Sequence, residues 1–244
     1  MANWQIGTLI KSQMVAEDVM SLTFSVPGWI KHQAGQHYDI RLTAESGYQA
    51  ERSYSVASPP AQEGELEFGV QLLPDGEVSP YLFALKPGDQ IELRGPIGGH
   101  FVWDTQMPDP LILIGGGSGM VPLMCMLRHH MAHIRKDHSR TIVFLISARS
   151  LEHVLYREEL ASYSKIDENF KIVTTLTDKQ PPGWPGYSRR VDDLMLDEAL
   201  GAYKQKQPSI FVCGPTPFVE VIANGLVNTG FAPEQIRTER FGGK

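Results

Sequence analysis

The sequence predicts a two-domain protein of mixed class, β followed by α/β: an antiparallel β-barrel over residues 1–107 and a parallel-sheet α/β domain over residues 108–244. Three observations carry this prediction. The first half breaks into short β-rich runs at even spacing, the second half alternates strand-like with helix-periodic segments, and a glycine-rich stretch, LILIGGGSGMVP, opens the second half.

In the first half the runs are Gln5 to Lys11, Met20 to Val26, His37 to Leu42, Arg52 to Ala57, Glu65 to Leu72 and Gln90 to Arg94, punctuated by Gly, Pro, Asp and Glu. Such spacing with turn signals predicts a small closed barrel. One helical piece, Val78 to Leu85, lies between the Pro74-Asp75-Gly76 and Lys86-Pro87-Gly88-Asp89 turns. Its start is a candidate anion site, with Ser79 in the first turn and Gly76 permitting close approach.

In the second half, strands are expected at Leu111 to Ile114, Thr141 to Ser147, Phe170 to Thr175, Ser209 to Cys213 and Gln235 to Glu239. Helices are expected at Met120 to Arg135, Leu155 to Tyr163, Asp192 to Leu200 and Pro217 to Thr229. This alternation predicts a parallel sheet covered by helices, with ligands at the carboxyl ends of the strands. Gly115 to Gly119 then form a strand-glycine-helix turn whose backbone N–H groups suit a pyrophosphate, with Gly117, Ser118 and Gly119 nearest it. An ordinary strand-to-helix turn has the same composition. Met120 stands where a dinucleotide fingerprint has its third glycine, and no Lys-Ser/Thr follows as a P-loop requires.

The chain has 244 residues and a net charge of −6, with the acidity concentrated before Pro108. A nucleic-acid partner is therefore disfavoured. No apolar stretch is long enough to span a bilayer and the N-terminus lacks a signal-peptide core, so a cytoplasmic location is expected. Cys125 and Cys213, the only cysteines, cannot ligate an iron-sulfur cluster that needs four. His129, His130 and His133 have no HExxH pattern and no adjoining carboxylate, and read as a solvated helix face rather than a metal site.

Arg52-Ser53-Tyr54-Ser55-Val56-Ala57-Ser58 is the densest chemical cluster of the first half. An arginine holds a diphosphate bidentately, a tyrosine two residues on shares its strand face, and Ser55 offers a hydroxyl beside a ring that Tyr54 could stack against. That is an inventory for a flavin. A half-exposed edge strand with an incidental arginine is the plain alternative.

RSYSVAS, PDGEVSPYLFALKPGD, GPIGGHF, GGGSGMVP, the CGP at Cys213 to Pro215 and a terminal ERF occur in one order across nearly the whole chain. In that combination the sequence resembles the ferredoxin-NADP reductase superfamily, with the PDG run most like bacterial NADPH-flavodoxin/ferredoxin reductases and the end like the reductase components of bacterial oxygenase systems. The resemblance implies an FAD-binding barrel followed by an NAD(P)-binding domain, and hydride transfer from NADPH to the flavin in a cleft between them. It places FAD on Arg52, Ser53, Tyr54 and Ser55, with its second phosphate against Gly76, Glu77, Val78 and Ser79. It implies Cys213 beside the nicotinamide C4, room for the ring at Gly214 and Pro215, Phe241 over the flavin and Glu239 two residues earlier. Ser55, Cys213, Glu239 and Phe241 form the implied catalytic set. Gly242, Gly243 and Lys244 extend beyond the point where relatives often stop, and a mobile tail with looser shielding is expected.

At the end of the second α/β strand Arg149 stands where an NAD site usually presents a carboxylate, which favours NADPH with NADH still possible. Similar NADPH reductases carry a second arginine past the third strand, where this chain has Leu176 and Thr177; Arg189 or Arg190 could supply a third. Each of these arginines could equally be a solvated surface charge. Trp184, in a Pro-Gly loop, could touch a cofactor or pin that loop. Cys125 reads as a buried, inert thiol.

The expected activity is FAD-dependent NAD(P)H oxidation with delivery of electrons to a separate carrier, a ferredoxin or flavodoxin-like protein. The alternatives are reduction of a small molecule such as free flavin or a ferric chelate, and a non-catalytic flavin-binding component of a larger complex.

Overall fold

The computed structural model describes residues 3–133 and 140–242. It contains two compact units: one comprises the chain up to Asp104 together with Met124–Ala132, and the other comprises Thr105–Leu123 with the chain from His133 onward.

The first unit is a six-stranded antiparallel sheet. Its strands are β1 (Trp4–Ala16), β2 (Val19–Ser25), β3 (His37–Thr43), β4 (Gln49–Ser55), β5 (Glu65–Gln71) and β6 (Gln90–Ile97), in the order β4-β3-β6-β1-β2-β5. Alternation of side chains puts Leu22 and Phe24 of β2, Tyr38 and Ile40 of β3, and Leu66, Phe68 and Val70 of β5 on one inner face. β1 runs past its expected end at Lys11, with register shifts between Leu9 and Lys11 and between Met14 and Ala16. Such irregularities bend a strand without ending it.

The sheet closes just beyond β4, where Val56 bridges Phe68 and the Ala57 N–H donates to the Glu67 carbonyl at 2.7 Å. Before that point β4 and β5 do not pair, and the opening is plugged by Val78, Leu82 and Leu85 around helix α1 (Ser79–Ala84). α1 is shorter than the Val78 to Leu85 expected from sequence, because Leu85 is already extended ahead of the Lys86-Pro87 turn.

Helix α2 (Met120–His133) is apolar on nearly every side, and its middle belongs to the first unit. There the Cys125 thiol donates to the Ser58 carbonyl at 3.0 Å, and Arg128 pairs with Glu67 at 2.8 Å. Burial pushes the Cys125 thiol up to about 12, which fits an inert cysteine. The expectation of a solvated histidine face holds only in part: His130 is buried and the His129 ring stands edge-on to Trp103 at 5.8 Å, whereas His133 is half-buried beside the exposed Ala132. Residues 134 and 135, the expected end of the helix, lie outside the described residues.

The second unit is a five-stranded parallel sheet of β7 (Leu111–Gly116), β8 (Ile142–Ala148), β9 (Phe170–Leu176), β10 (Ser209–Pro215) and β11 (Ile236–Phe241), ordered β11-β10-β7-β8-β9. β7, β8 and β10 are continuous apolar runs, as a parallel sheet covered on both faces requires. Helices α3 (Arg157–Ile166), α4 (Asp193–Leu200) and α5 (Thr216–Asn228) alternate with the strands, and Met195, Leu196, Val219, Ile222 and Leu226 pack on Ile112, Ile114, Ile210 and Val212. Asp192 caps α4 by accepting from the Met195 N–H at 2.8 Å. Among the described residues no helix is long and apolar enough to cross a membrane.

Candidate functional site

In the first unit the expected flavin-binding residues Arg52 and Tyr54 lie on the inner face of β4. Ala50, Arg52 and Tyr54 share that face, opposite Leu42, Ile40 and Tyr38 of β3. The missing β4–β5 pairing leaves this face uncovered by sheet. Arg52 reaches across the opening to Glu77 at 3.4 Å, and Tyr48 donates to the other oxygen of Glu77 at 2.9 Å. The Arg52–Glu77 pair is long and more than half exposed on both sides, so it holds the guanidinium only weakly.

Tyr54 packs on the barrel core, and burial raises its phenol to about 12. Ser55 is buried with no hydrogen-bond partner for its hydroxyl among the described residues. An orphaned buried hydroxyl is costly unless a ligand completes it. Ser53, on the opposite face, gives its hydroxyl to Asp39 at 2.6 Å.

In the loop from Gly76 to Ser79, Ser79 stands in the first turn of α1, as expected. Ser79 is buried, and its hydroxyl accepts from the Leu73 N–H at 3.0 Å and faces the Leu73 carbonyl at 3.3 Å. That hydroxyl closes the loop. Glu77 is exposed and Val78 is buried beneath the loop.

In the second unit β7 and β10 are neighbours at the point where strand order reverses, the position at which such sheets bind ligands. Cys213 lies opposite Gly115 in register. Gly115 and Gly116 continue β7, and Gly117–Gly119 form a single 3-10 turn before α2. A Cβ on Gly119 would lie 2.1 Å from the Cys213 carbonyl oxygen, so glycine is what lets the turn close on β10. Gly117 differs: its φ is +56° and nothing lies within 4 Å of where its Cβ would be. The turn is therefore packed on its inner side at Gly119 and open on its outer side at Gly117. Gly214 and Gly116 both lie against the Phe218 ring of α5, a contact the helical pattern alone did not single out.

Cys213 is fully buried, and burial with the neighbouring Glu239 charge pushes its thiol well above the usual range. It is no thiolate nucleophile. Glu239 pairs with Cys213 in register, and burial raises its carboxyl to about 7. Phe241 lies opposite Pro215. The chain end is tied back, with Arg240 on Glu220 at 2.9 Å and the Gly242 carbonyl accepting from Thr216 at 3.5 Å. Of the tail expected to be mobile, Gly242 thus has a hydrogen bond, while Gly243 and Lys244 lie outside the described residues.

The arginines separate. Arg149 follows β8, and its carbonyl accepts the N–H groups of Asp178 and Lys179 at 3.0 and 2.9 Å. Thr175 donates to the Arg189 carbonyl, which ties that loop beside β9. The Arg189 guanidinium is engaged by Asp192 at 2.9 Å and Glu198 at 3.7 Å. Arg190 is exposed, with no ion pair among the described residues. Trp184 donates to the Tyr187 carbonyl at 2.9 Å and lies against Gly186, so it pins its loop.

Two family models match. Residues 7–103 match the oxidoreductase FAD-binding domain and residues 113–224 the oxidoreductase NAD-binding domain. The F component of the Na(+)-translocating NADH-quinone reductase of Idiomarina loihiensis is 31% identical over 203 residues, covering 79% of this chain and 49% of that relative. The chain thus spans about half the length of this curated relative. Among solved structures, the flavohem-like FAD/NAD-binding domain of nitric oxide dioxygenase from Vibrio cholerae superposes with a TM-score of 0.83 at 21% identity, covering 98% of this chain and 99% of that one. A ferredoxin NADP+ reductase from Neisseria gonorrhoeae with bound FAD and NADP gives 0.82 at 22% identity, with 98% and 99% coverage. The chain thus carries an oxidoreductase FAD-binding domain followed by an oxidoreductase NAD-binding domain, and it shares the fold of these solved structures.

Proposed function

We propose that the chain is a reductase that oxidises NADPH at residues 108–244, with FAD held on residues 1–107, and delivers electrons to a separate carrier of the ferredoxin or flavodoxin type. Bound FAD supplies the chemistry by taking a two-electron hydride and releasing electrons singly. The observation that carries the reading is the end of β4, where a weakly held arginine and a core-packed tyrosine share the uncovered inner face and the buried, unpartnered hydroxyl of Ser55 follows on the opposite face.

On this reading Arg52 binds the diphosphate and the backbone of Gly76 to Ser79 its second phosphate. Tyr54 stacks on the flavin, Ser55 donates to its N5 region and Phe241 shields the ring. Gly117, Ser118 and Gly119 face the nicotinamide dinucleotide's phosphates. Cys213, Gly214 and Pro215 position its ring, Glu239 holds or yields a proton beside it, and Arg149 with Arg190 takes the 2'-phosphate.

A second reading, NADH as donor, has its own support. Ser150 donates to Glu152 at 2.5 Å and holds that carboxyl below its usual range, so an ionised acid stands three residues past Arg149. Such a group suits a ribose hydroxyl and opposes a phosphate.

Anaerobic mixing with each donor, followed by a panel of carriers, tests both. Faster flavin bleaching with NADPH, a tenfold or greater loss of that preference in Arg149→Ala, and acceleration of turnover by a protein carrier are expected. A preference for NADH reverses the donor assignment. Turnover that only free flavin or ferric chelate accelerates removes the carrier, and no bleaching with either donor marks the chain as a component of a larger complex without this activity.

A further inference from the structure

The three residues that follow Ser55 have no place in the proposed cofactor contacts, yet partners far along the chain hold them fast. The Val56 N–H donates to the Gln36 carbonyl at 3.1 Å and the Ala57 N–H to the Glu67 carbonyl. The Ala57 carbonyl accepts from Arg128 of α2 at 3.0 Å, and the Ser58 carbonyl accepts from two buried groups, His32 Nε2 at 2.9 Å and the Cys125 thiol. Glu67 is the hub of this clamp. Its N–H donates to the Ser58 hydroxyl at 3.0 Å, one carboxylate oxygen accepts from Ser21 at 2.7 Å, and the other accepts from Arg128. Arg128 uses a single nitrogen, Nη1, for both the Ala57 carbonyl and the Glu67 carboxylate. The two side chains of that ion pair are only 12% and 14% exposed, so deleting one partner strands a buried charge.

The clamp acts on the face that carries the Ser55 hydroxyl. Val56 bridges Phe68 with both side chains in the core, and alternation then puts Ser55, Ala57 and Glu67 together on the other face, where Arg128 reaches them. The Ser55 hydroxyl has no hydrogen-bond partner among the described residues. Its aim is therefore set by the backbone that bears it. We propose that Arg128 is a positioning residue for flavin reduction, which fixes the direction of the Ser55 hydroxyl by holding the Ala57 carbonyl and Glu67. The assignment rests on the proposed placement of Ser55 beside the flavin, and Arg128 acts through Ser55 without needing contact with either cofactor.

The test uses the full chain loaded with FAD, in the wild type, Arg128→Met, Ser55→Ala and the two combined. Stopped-flow reduction at saturating donor gives the rate, the visible spectrum of the oxidised flavin reports its surroundings without turnover, and circular dichroism checks folding. Because Arg128→Met leaves the Glu67 charge buried, Arg128→Met with Glu67→Gln, which removes charge and partner together, replaces it wherever the single change does not fold. Arg128→Met is expected to slow reduction roughly five- to tenfold with an unchanged KM for the donor, a loss bounded by that of deleting the hydroxyl itself. The flavin spectrum is expected to shift as it does in Ser55→Ala. Once Ser55 is alanine, Arg128→Met is expected to slow reduction by less than about twofold more, since the group it positions is gone. Equal slowing with and without the Ser55 hydroxyl, or a folded Arg128 variant with the rate and spectrum of the wild type, overturns the positioning role alone. A Ser55→Ala protein with the rate and spectrum of the wild type overturns the flavin placement on which it rests.

Discussion

The two ends of this chain proposed to hold nucleotides are built from opposite materials. On β4 the chemistry is carried by side chains, Arg52, Tyr54 and Ser55, on a strand whose backbone is otherwise ordinary. At the β7–β10 end it is carried by backbone, in a turn where Gly119 is closed against the Cys213 carbonyl and Gly117 is open. The first kind of site fails when a side chain is removed, and the second when a methyl group is added. The sharpest break of this comparison is Gly119→Ala. A Cβ 2.1 Å from a carbonyl oxygen forces the turn off β10, at an expected cost of about 3 kcal/mol or more. Loss of pyridine-nucleotide-dependent flavin reduction with flavin content retained is the expected result. Full activity with either donor would show that the turn tolerates what its packing forbids.

Arg52→Ala is the mirror experiment. A charge-assisted pair to a diphosphate contributes about 1.5–3 kcal/mol, so FAD affinity is expected to fall roughly ten- to a hundredfold. Its partner Glu77 is exposed, and folding stability is expected to stay within about 0.5 kcal/mol. Isothermal titration with FAD, beside thermal melts of the flavin-free protein, separates the two effects. A large loss of stability with unchanged affinity would assign Arg52 to the scaffold.

The same contrast explains what the sequence disclosed. Strand positions were legible in both units because period-two alternation and continuous apolar runs are local signals, and the GGGSG turn announced itself by composition. Bends and closures were less legible. β1 continues past Lys11 through register irregularities, and α1 stops at Ala84 because the following residue is already extended. The fate of polar groups was least legible, because it depends on partners far along the chain. Nothing near Ser79 shows that its hydroxyl serves Leu73, nothing near Arg189 separates its engaged guanidinium from that of Arg190, and the pairing of Glu77 with Tyr48 joins residues 29 apart. His130 of α2 was misjudged for the related reason that nothing next to it in sequence shows which turn of the helix is covered.

Glu239 sharpens the comparison, because it is the one acid of the backbone-built end whose proton is set by burial. Its carboxyl titrates near 7, above the 4.5 of an exposed glutamate. In that interval the folded protein keeps a proton that the unfolded chain releases, so stability falls as pH rises through it and the cost is complete above about pH 7. Glu239→Gln removes the titration. The variant's melting temperature is expected to overtake that of the wild type between pH 5 and pH 8, by an amount equivalent to about 1–3 kcal/mol. Parallel melting curves across that range would show that the carboxyl is not held as its burial implies.

Ser55→Ala is the smallest and most discriminating change at the side-chain-built end. If the hydroxyl serves the barrel, its loss destabilises the flavin-free protein. If it awaits a ligand, its removal deletes a buried group that nothing satisfies, and the flavin-free protein is expected to be unchanged or more stable by up to about 1 kcal/mol. Flavin reduction is then expected to slow about tenfold at saturating donor while FAD affinity moves little, since one neutral hydrogen bond contributes about 1 kcal/mol. The opposite signs expected for the flavin-free melt and for the reduction rate are what a purely structural serine cannot produce.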